Sequence, residues 1–335
     1  MEKAELSWPK IGNEKAVEFL SLAILGGRVA QTYIFIGSDD LGKSTVALAF
    51  ARNLMGEALE SHRGFNSDLH ILKPEEGKKS ISIEQVRNFI KDLSLSSFLD
   101  SYKIGIIKEA DSLTNEAQNA ILKTLEEPRD KVIVILLASS EEKLLPTILS
   151  RGQKLYFNPV KAEIIYDYLL TEHKASRSLA KDLANIALGR PLKAVRFLEN
   201  PEVYATYLEK ASLFLKFFSL DINGRLSNLD HLFTDKTYSV AAVSGAEEIL
   251  MMAEGLMRDL FLLHFNQPEK IQHSALAAEL DIANKEIEII SSSGPSNDNF
   301  SAFLLSRFKL SALAHEYLSA NVNPRLVLEQ FVINL

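Results

Sequence analysis

The stretch "TYIFIGSDDLGKSTVALAF", residues 32–50, decides the fold of this chain. Its apolar start, residues 32–36, predicts a buried β-strand, and "KSTVALAFARNLM" (43–55) repeats apolar residues at helical spacing. Between strand and helix, "GSDDLGKST" contains the pattern GxxxxGK[ST]. A loop with this pattern, entered from a strand and left through a helix, binds nucleotide phosphates. We therefore predict a phosphate-binding loop at the start of a βαβ unit.

Each residue type in this loop has a physical reason. Glycines at 37 and 42 allow the tight turn, and the backbone N–H groups of residues 39–44 point inward at the phosphates. Lys43 supplies a cation to the β- and γ-phosphates, and the Ser44 hydroxyl is the candidate ligand of Mg²⁺. The predicted nucleotide-binding set in this loop is Gly37, Gly42, Lys43, Ser44 and Thr45. The alternative is a chance match in a glycine-containing loop.

Outward from the loop, further apolar runs alternate with helical patterns. The runs "DLHILK" (68–73), "KIGIIK" (103–108) and "KVIVILLAS" (131–139) are predicted strands, so the first part of the chain reads as an α/β core with a parallel sheet. Beyond Pro159 helical periodicity takes over. We predict three domains: a nucleotide-binding core over 1–159, a small helical lid over 160–202 and an all-α domain over 203–335.

Composition limits the classes of protein to which this chain can belong. A chain of 335 residues with 47% hydrophobic content is long enough for two or three packed domains. The net charge of −7 argues against a protein that grips DNA over its whole surface. The absence of cysteine excludes disulfides and thiolate metal sites. No stretch approaches 18 uninterrupted apolar residues and the start lacks a signal-peptide core, so we expect a cytoplasmic protein without membrane contact.

The end of the run 103–108 bears on catalysis. Enzymes with this loop usually end a second strand in an acid that holds Mg²⁺, often followed by a glutamate that activates water. Here the strand ends in Lys108, and Glu109 follows as the candidate catalytic base. A lysine facing the metal would repel it. Alternatively, Lys108 extends to solvent and Glu109 is an ordinary acid at a helix start.

Four segments together resemble a known family. "TYIFIGSDDLGKSTVALAFAR", "SISIEQVRNFIKDL", "YKIGIIKEADSLTNEAQNAILKTLEEP" and "LLPTILSRGQKLYF" are similar to the AAA+ module of bacterial replicative clamp-loader subunits, in particular those of the delta-prime type. The C-terminal "LSANVNPRLVLEQFVINL" resembles the end of that family's helical collar. The resemblance runs in order along essentially the whole chain, and "NAILKTLEEP" and "TILSRGQ" are its most specific parts.

The resemblance implies a subunit of the DNA polymerase III holoenzyme, with an AAA+ core, a lid and a collar that assembles five subunits into a ring. In that family the ring binds ATP between neighbouring subunits and places the sliding clamp on primer–template DNA. Arg151 matches the arginine finger that the family presents in trans to the γ-phosphate held by the adjacent subunit. A guanidinium suits this role because it offers a planar, bidentate charge to a phosphate.

Other positions are carried over from the same resemblance. Ile11 and Gly12 match the segment that lies along the adenine, Ser139 matches the polar sensor of the γ-phosphate, and Lys193 falls near the sensor position of the lid. Each position also has a purely structural alternative. Ile11 and Gly12 could be an ordinary apolar–Gly pair, Ser139 could belong to a serine-rich turn, and Lys193 could be a solvated charge on a helix.

Departures from the family pattern complete the prediction. The four-cysteine zinc module of the family is missing, because "GEALESHRGFNS" at that place has no cysteine, so we expect ATP with Mg²⁺ as the cofactor that the loop allows and no zinc. Lys108 replaces the magnesium-associated aspartate. Two interpretations remain open: a non-motor, delta-prime-like subunit that donates Arg151 to its neighbour, or an ATP-hydrolysing AAA+ motor subunit of a clamp loader or another DNA-maintenance complex.

Overall fold

The computed structural model describes residues 6–56, 68–95, 102–127, 129–235, 237–292 and 299–335. The chain forms two compact units, one from residues 1–174 with 189–194 and the other from 175–188 with 195–335. The boundary between these units falls inside the predicted lid, 160–202. The predicted division into three domains stays a prediction.

The first unit is built on a five-stranded parallel sheet with the order β2-β3-β4-β1-β5. The strands are β1 (Thr32–Ile36), β2 (Leu69–Leu72), β3 (Lys103–Ile107), β4 (Val132–Ala138) and β5 (Gln153–Tyr156). The four predicted strands are confirmed. The sequence reading missed β5, because "QKLY" is short and only Leu155 in it is buried, which leaves no apolar run to detect.

Helices cover both faces of this sheet, as expected for parallel strands that are buried on two sides. They are α1 (Glu14–Leu25), α2 (Lys43–Met55), α3 (Ile83–Ser94), α4 (Asn115–Glu126), α5 (Pro146–Leu149) and α6 (Ala162–Thr171). On one face Phe35 packs in a cluster with Phe50, and on the other Ile34 shares a cluster with Ile121. Thr114 caps α4 by accepting from the Ala117 N–H at 3.2 Å.

The second unit is helical, and the described part of the chain has no strand after Tyr156. Its helices are α7 (Arg177–Ile186), the C-terminal part of α8 (Pro191–Glu199), α9 (Pro201–Leu215), α10 (Ile222–Leu232), α11 (Val240–His264), α12 (Ala277–Ser292), α13 (Asn299–Ser319) and α14 (Pro324–Ile333). Leu250, Leu256 and Leu260 of α11 lie fully buried in its core. The predicted fold class, an α/β P-loop core followed by helical structure, is confirmed.

One polar network is buried inside this helical core. The carboxylate of Asp259 accepts from the backbone N–H groups of Gln272 and His273, both at 2.8 Å, and lies 2.7 Å from Nδ1 of the His273 ring. Nε2 of the same ring lies 2.8 Å from the Tyr207 hydroxyl. Burial and the nearby Asp259 carboxylate raise the pKa of Tyr207 well above its ordinary value, so the hydroxyl keeps its proton.

No described helix combines the length and the apolar character needed to cross a bilayer.

Candidate nucleotide site and arginine finger

The phosphate loop leaves the sheet at the carboxyl end of β1 and enters α2 at Lys43. The Gly37 N–H donates to Ala138 O of β4 at 3.1 Å, which ties the loop to the neighbouring strand. Gly37 has φ 155°, and a Cβ there would lie 2.4 Å from the carbonyl oxygen of Phe157. Gly42 has φ 93°. Both positions therefore need glycine, one for close approach and the other for backbone conformation.

The ammonium of Lys43 lies inside this loop. It donates to the carbonyl oxygens of Gly37 and of Ser38, the latter at 2.8 Å, and is 3.6 Å from Oδ1 of Asp39. Lys43 is only 8% exposed. Burial lowers its pKa, while the carboxylates of Asp39 and Asp111 act in the opposite direction. The loop thus holds one buried positive charge where the sequence predicts the phosphates to bind.

The first turn of α2 adds backbone donors to this charge. The N–H groups of a first helical turn have no acceptor within the helix, and the positive end of the helix dipole lies there. No acidic residue occurs in the first turn of α2. Ser44 is half-buried and Thr45 is exposed at the same place. These residues can bind an anion, but their predicted contacts with a nucleotide stay predictions.

Two segments far away in the sequence enclose the loop. The Asn13 side chain donates from Nδ2 to Leu41 O at 3.2 Å and accepts from the Asn158 N–H at 2.7 Å. The Leu192 N–H donates to Asp40 O at 3.1 Å. The predicted residues Ile11, Gly12 and Lys193 are neighbours of these anchors, and an added Cβ at Gly12 would lie 3.7 Å from Leu41 O. The structure therefore places Gly12 against the loop, and Ile11 and Lys193 lie within two residues of Asn13 and Leu192, which are bonded to it.

The sequence reading missed Asn13, which makes two of these connections. Its only sequence signal is an asparagine directly before the amphipathic helix α1. Its carboxamide caps no N–H of α1 and is used for tertiary bonds instead.

The ends of β3 and β4 meet beside the loop through Asp111. Its carboxylate accepts from the Ser139 hydroxyl at 2.6 Å and from the Ser139 N–H at 3.2 Å, with Lys143 Nζ at 3.4 Å. Burial opposes ionisation of Asp111, but these bonds outweigh it and keep its pKa below the ordinary value. Ser139 is thus at the carboxyl edge of the sheet, and its role as a sensor stays a prediction.

Lys108 and Glu109 follow β3 at the same edge. The Lys108 N–H donates to Leu72 O at 2.8 Å, and its half-buried side chain has no ion pair within the described residues. Glu109 has φ 54°, in the left-handed region. Burial raises the pKa of Glu109, and the nearby carboxylates of Asp39 and Asp111 raise it further. A carboxyl group with a raised pKa can accept a proton closer to neutral pH.

Arg151 lies at the opposite edge of the sheet, just before β5 begins. Nη2 is 2.5 Å from Oε1 of Glu126, and Nη1 donates to Thr147 O at 2.6 Å. The side chain keeps 32% of its surface accessible. β5 has four residues and so spans about 13 Å, with the Phe157 contact to the phosphate loop at its far end. Arg151 is held in place, exposed and directed away from the chain's own loop.

Helix α4 supplies the residues that hold Arg151. Gln118 is 3% exposed; its Oε1 accepts from the Leu145 N–H at 2.8 Å and its Nε2 donates to Lys143 O at 3.1 Å. These bonds fix the segment that leads into α5, which ends two residues before Arg151. Glu126 at the end of α4 pairs with the guanidinium itself. The sequence reading missed both partners, although both lie in or beside the specific motif "NAILKTLEEP".

In the part of the chain that the structure describes, no group of three or more His, Asp or Glu side chains could hold a metal ion. The cysteine-free segment that carries the expectation of no zinc lies mostly at 57–67, outside the described residues.

Comparison with known proteins finds similarity to subunits of DNA polymerase III. A family model described as "DNA polymerase III, delta subunit" matches residues 12–161. The DNA polymerase III subunit delta' of Bacillus subtilis is 30% identical over 211 residues, covering 59% of this chain and 63% of that protein. Its Escherichia coli counterpart is 25% identical, covering 54% and 58%. The chain thus spans less than two thirds of the length of these relatives.

Solved structures show weaker similarity. A DNA polymerase III gamma subunit-related protein from Thermotoga maritima has 20% identity and a TM-score of 0.43, covering 93% of this chain and 97% of that one. The Bacillus subtilis clamp loader delta protein has 13% identity and a TM-score of 0.38, covering 95% and 98%.

Proposed function

We propose that this chain, whose residues 12–161 match the family model described as "DNA polymerase III, delta subunit", is a delta-prime-like, non-motor subunit of a replicative clamp loader. It acts in the cytoplasm within a ring of five subunits that loads the sliding clamp onto primer–template DNA. Its own loop binds ATP, and Arg151 acts on the nucleotide of the adjacent subunit.

The position of Arg151 is the observation that carries this proposal. The guanidinium lies beyond the amino end of β5, whereas the phosphate loop contacts the residue after its carboxyl end. Glu126 and Thr147 hold the side chain in one orientation while about a third of its surface stays accessible. A fixed, accessible guanidinium that is turned away from its own nucleotide loop suits a phosphate held by another molecule.

Residues of the loop fit a nucleotide. Lys43, the free N–H groups of the first turn of α2 and the Ser44 hydroxyl supply the charge and donors that a triphosphate requires. Mg²⁺ bound with ATP would neutralise part of the phosphate charge, and Ser44 is its candidate ligand in this chain. Ile11, Gly12, Ser139 and Lys193 complete the proposed set of nucleotide contacts.

The acids at the loop support binding better than hydrolysis. Asp111, the carboxylate that lies nearest to Ser139, is already engaged by that residue and by Lys143. Lys108 stands where a magnesium-handling acid is typical. A lysine in place of the typical acid, together with an aspartate that is already bonded, suits a subunit that supplies its arginine to a neighbour's reaction. Such a subunit needs no efficient hydrolysis of its own.

One observation favours the alternative, an ATP-hydrolysing motor subunit. The raised pKa of Glu109 brings its carboxyl group closer to the range of a general base. In this alternative Glu109 would orient and deprotonate the attacking water in the chain's own site.

Reconstitution separates the two functions. The chain is mixed with the clamp-loader subunits and sliding clamp of its own organism, and clamp loading onto primed DNA is measured with and without it. We expect loading only in its presence, together with nucleotide binding but no turnover by the isolated chain. ATP hydrolysis by the isolated chain that disappears in Lys43→Ala would instead establish the motor function.

A further inference from the structure

Glu126 stands at a position where an acid does not favour its own helix. It is the last residue of α4, and Glu127 follows it directly. The carboxyl end of a helix carries a partial negative charge, so cations are favoured there and carboxylates are not. Lys123, in the same turn, forms no ion pair with Glu126 in the described part of the chain. The partner that accounts for this acid is Arg151, whose Nη2 lies 2.5 Å from Oε1 of Glu126.

Arg151 has other attachments that fix its backbone and one side of its guanidinium. Nη1 donates to Thr147 O at 2.6 Å. A Cβ at Gly152 would lie 2.5 Å from the Ile34 side chain of β1, so the backbone that follows the arginine runs close against the sheet. Glu126 therefore governs the Nη2 end of the guanidinium and not the path of the chain.

The contact between Glu126 and Arg151 is one that a stronger anion can replace. Within the described residues, Glu126 is the one acidic side chain paired with this guanidinium. The two side chains keep 46% and 32% of their surfaces accessible. An ion pair as exposed as this contributes little to stability, because water and salt screen it. A γ-phosphate carries more negative charge than a carboxylate, and its oxygens match the N–H donors of a guanidinium.

We propose that Glu126 is a positioning residue for Arg151, which holds Nη2 in the free chain and is displaced from it by the γ-phosphate of the neighbouring subunit's nucleotide. This inference rests on the proposed function of Arg151. Before assembly, Glu126 neutralises and orients the guanidinium. When the phosphate arrives, Nη2 exchanges the carboxylate for a phosphate oxygen, while Nη1 stays bonded to Thr147 O. Glu126 thus both orients the arginine and competes with its phosphate.

Two variants of Glu126 separate orientation from competition, measured as ATP turnover by the reconstituted ring on primed DNA. Glu126→Gln keeps an oxygen that can accept from Nη2 but removes the competing charge. We expect KM for ATP to fall about threefold at unchanged kcat. Glu126→Ala removes the orienting group as well, so we expect kcat to fall about tenfold. A purely structural role would not move the two variants in opposite directions.

Two controls isolate the contact with Arg151. Glu127→Gln removes an exposed carboxylate from the same end of α4, so it reproduces any effect on the helix itself, and it is expected to leave kcat and KM unchanged. The Glu126 variants are also measured in the Arg151→Ala background, where we expect neither of them to alter the residual turnover.

Each outcome supports or overturns the inference. A lower KM in Glu126→Gln with a lower kcat in Glu126→Ala, both absent without Arg151, supports it. Equal losses in the two variants, or wild-type kinetics in both while Arg151→Ala inactivates the ring, overturn it and leave the proposed arginine finger standing. Full turnover by the Arg151→Ala ring overturns the finger, and the role of Glu126 with it.

Discussion

The two positively charged side chains on which the proposed function rests lie at opposite edges of one parallel sheet. Lys43, at the carboxyl edge, is buried and bonded to carbonyl oxygens of its own loop. Arg151, at the amino edge, is accessible and fixed from the side by Glu126. This difference supports the proposed division of roles, in which Lys43 binds the nucleotide of this chain and Arg151 acts on the nucleotide of a neighbouring subunit.

The strongest test of this contrast is Arg151→Ala in the reconstituted ring. Transition-state stabilisation by an arginine supplied in trans is large, so we expect DNA-stimulated ATP turnover of the assembly to fall about 10³-fold. Nucleotide binding by the isolated variant is expected to stay at the wild-type level, because the guanidinium is turned away from the chain's own loop. Arg87→Ala, on the exposed side of α3, is the control. Full turnover by the Arg151→Ala ring would exclude the finger.

At the other edge, Lys43→Ala is expected to weaken nucleotide binding by the isolated chain about 30- to 100-fold, since it removes a charge-assisted contact to phosphate. Titration with a fluorescent ATP analogue measures the effect. Lys78→Ala, which removes an exposed lysine paired with Glu75, is expected to change nothing. Unaltered affinity in Lys43→Ala would mean that the loop does not bind nucleotide through this lysine.

Asp111→Asn tests the link beside the loop by stability. The variant keeps the shape but loses the charge that accepts two bonds from Ser139, so we expect the free energy of unfolding to fall by about 1–2 kcal/mol at pH 7. Because the folded-state pKa of Asp111 is depressed, its contribution is complete above the ordinary value and disappears as the pH falls through the folded value.

Urea unfolding at a series of pH values measures this difference. The wild type and Asp111→Asn should differ by a constant amount above about pH 5 and converge as the pH falls through the folded-state pKa of Asp111, which lies below the ordinary aspartate value. Asp130→Asn, at an exposed loop position, should match the wild type throughout. A difference that persists unchanged in acid would show that the charge of Asp111 is not the cause.

The smallest expected effect is that of Asp39→Asn. Asp39 is exposed and 3.6 Å from the Lys43 ammonium, so its carboxylate competes with phosphate for that charge. We expect nucleotide affinity to rise about threefold at low salt, and less at physiological ionic strength because of screening. Glu75→Gln is the control for the loss of one surface charge. Weaker binding would instead mean that Asp39 positions Lys43 for the nucleotide.

Local sequence patterns predicted the strands, the phosphate loop and its helix well, because each rests on neighbouring residues. β1 is an unbroken buried run, and α2 covers Lys43–Met55, the range over which its helical spacing was found. The edge strand β5 was missed because one buried residue in four makes no pattern.

Partners of the site residues could not be predicted in the same way. Asn13 bonds to a residue 145 positions away, and Gln118 to one 27 positions away. Such pairs depend on how helices and strands pack, which periodicity does not encode. The sequence also showed that Lys108 stands where an acid is typical at the end of β3. It could not show that Asp111 is the carboxylate bonded to Ser139, because that bond depends on how the ends of two strands pack.

The brevity of β5 has a consequence for how this chain can evolve. Phe157, the residue after the carboxyl end of β5, lies against Gly37, which opens the phosphate loop. Arg151 lies two residues before the amino end of the strand. Inserting or deleting a single residue would turn successive side chains to opposite faces and shift Arg151 by about 3.3 Å. The length of β5 thus sets the distance between the phosphate loop and Arg151. We expect natural variation to change the residues of β5 but not their number.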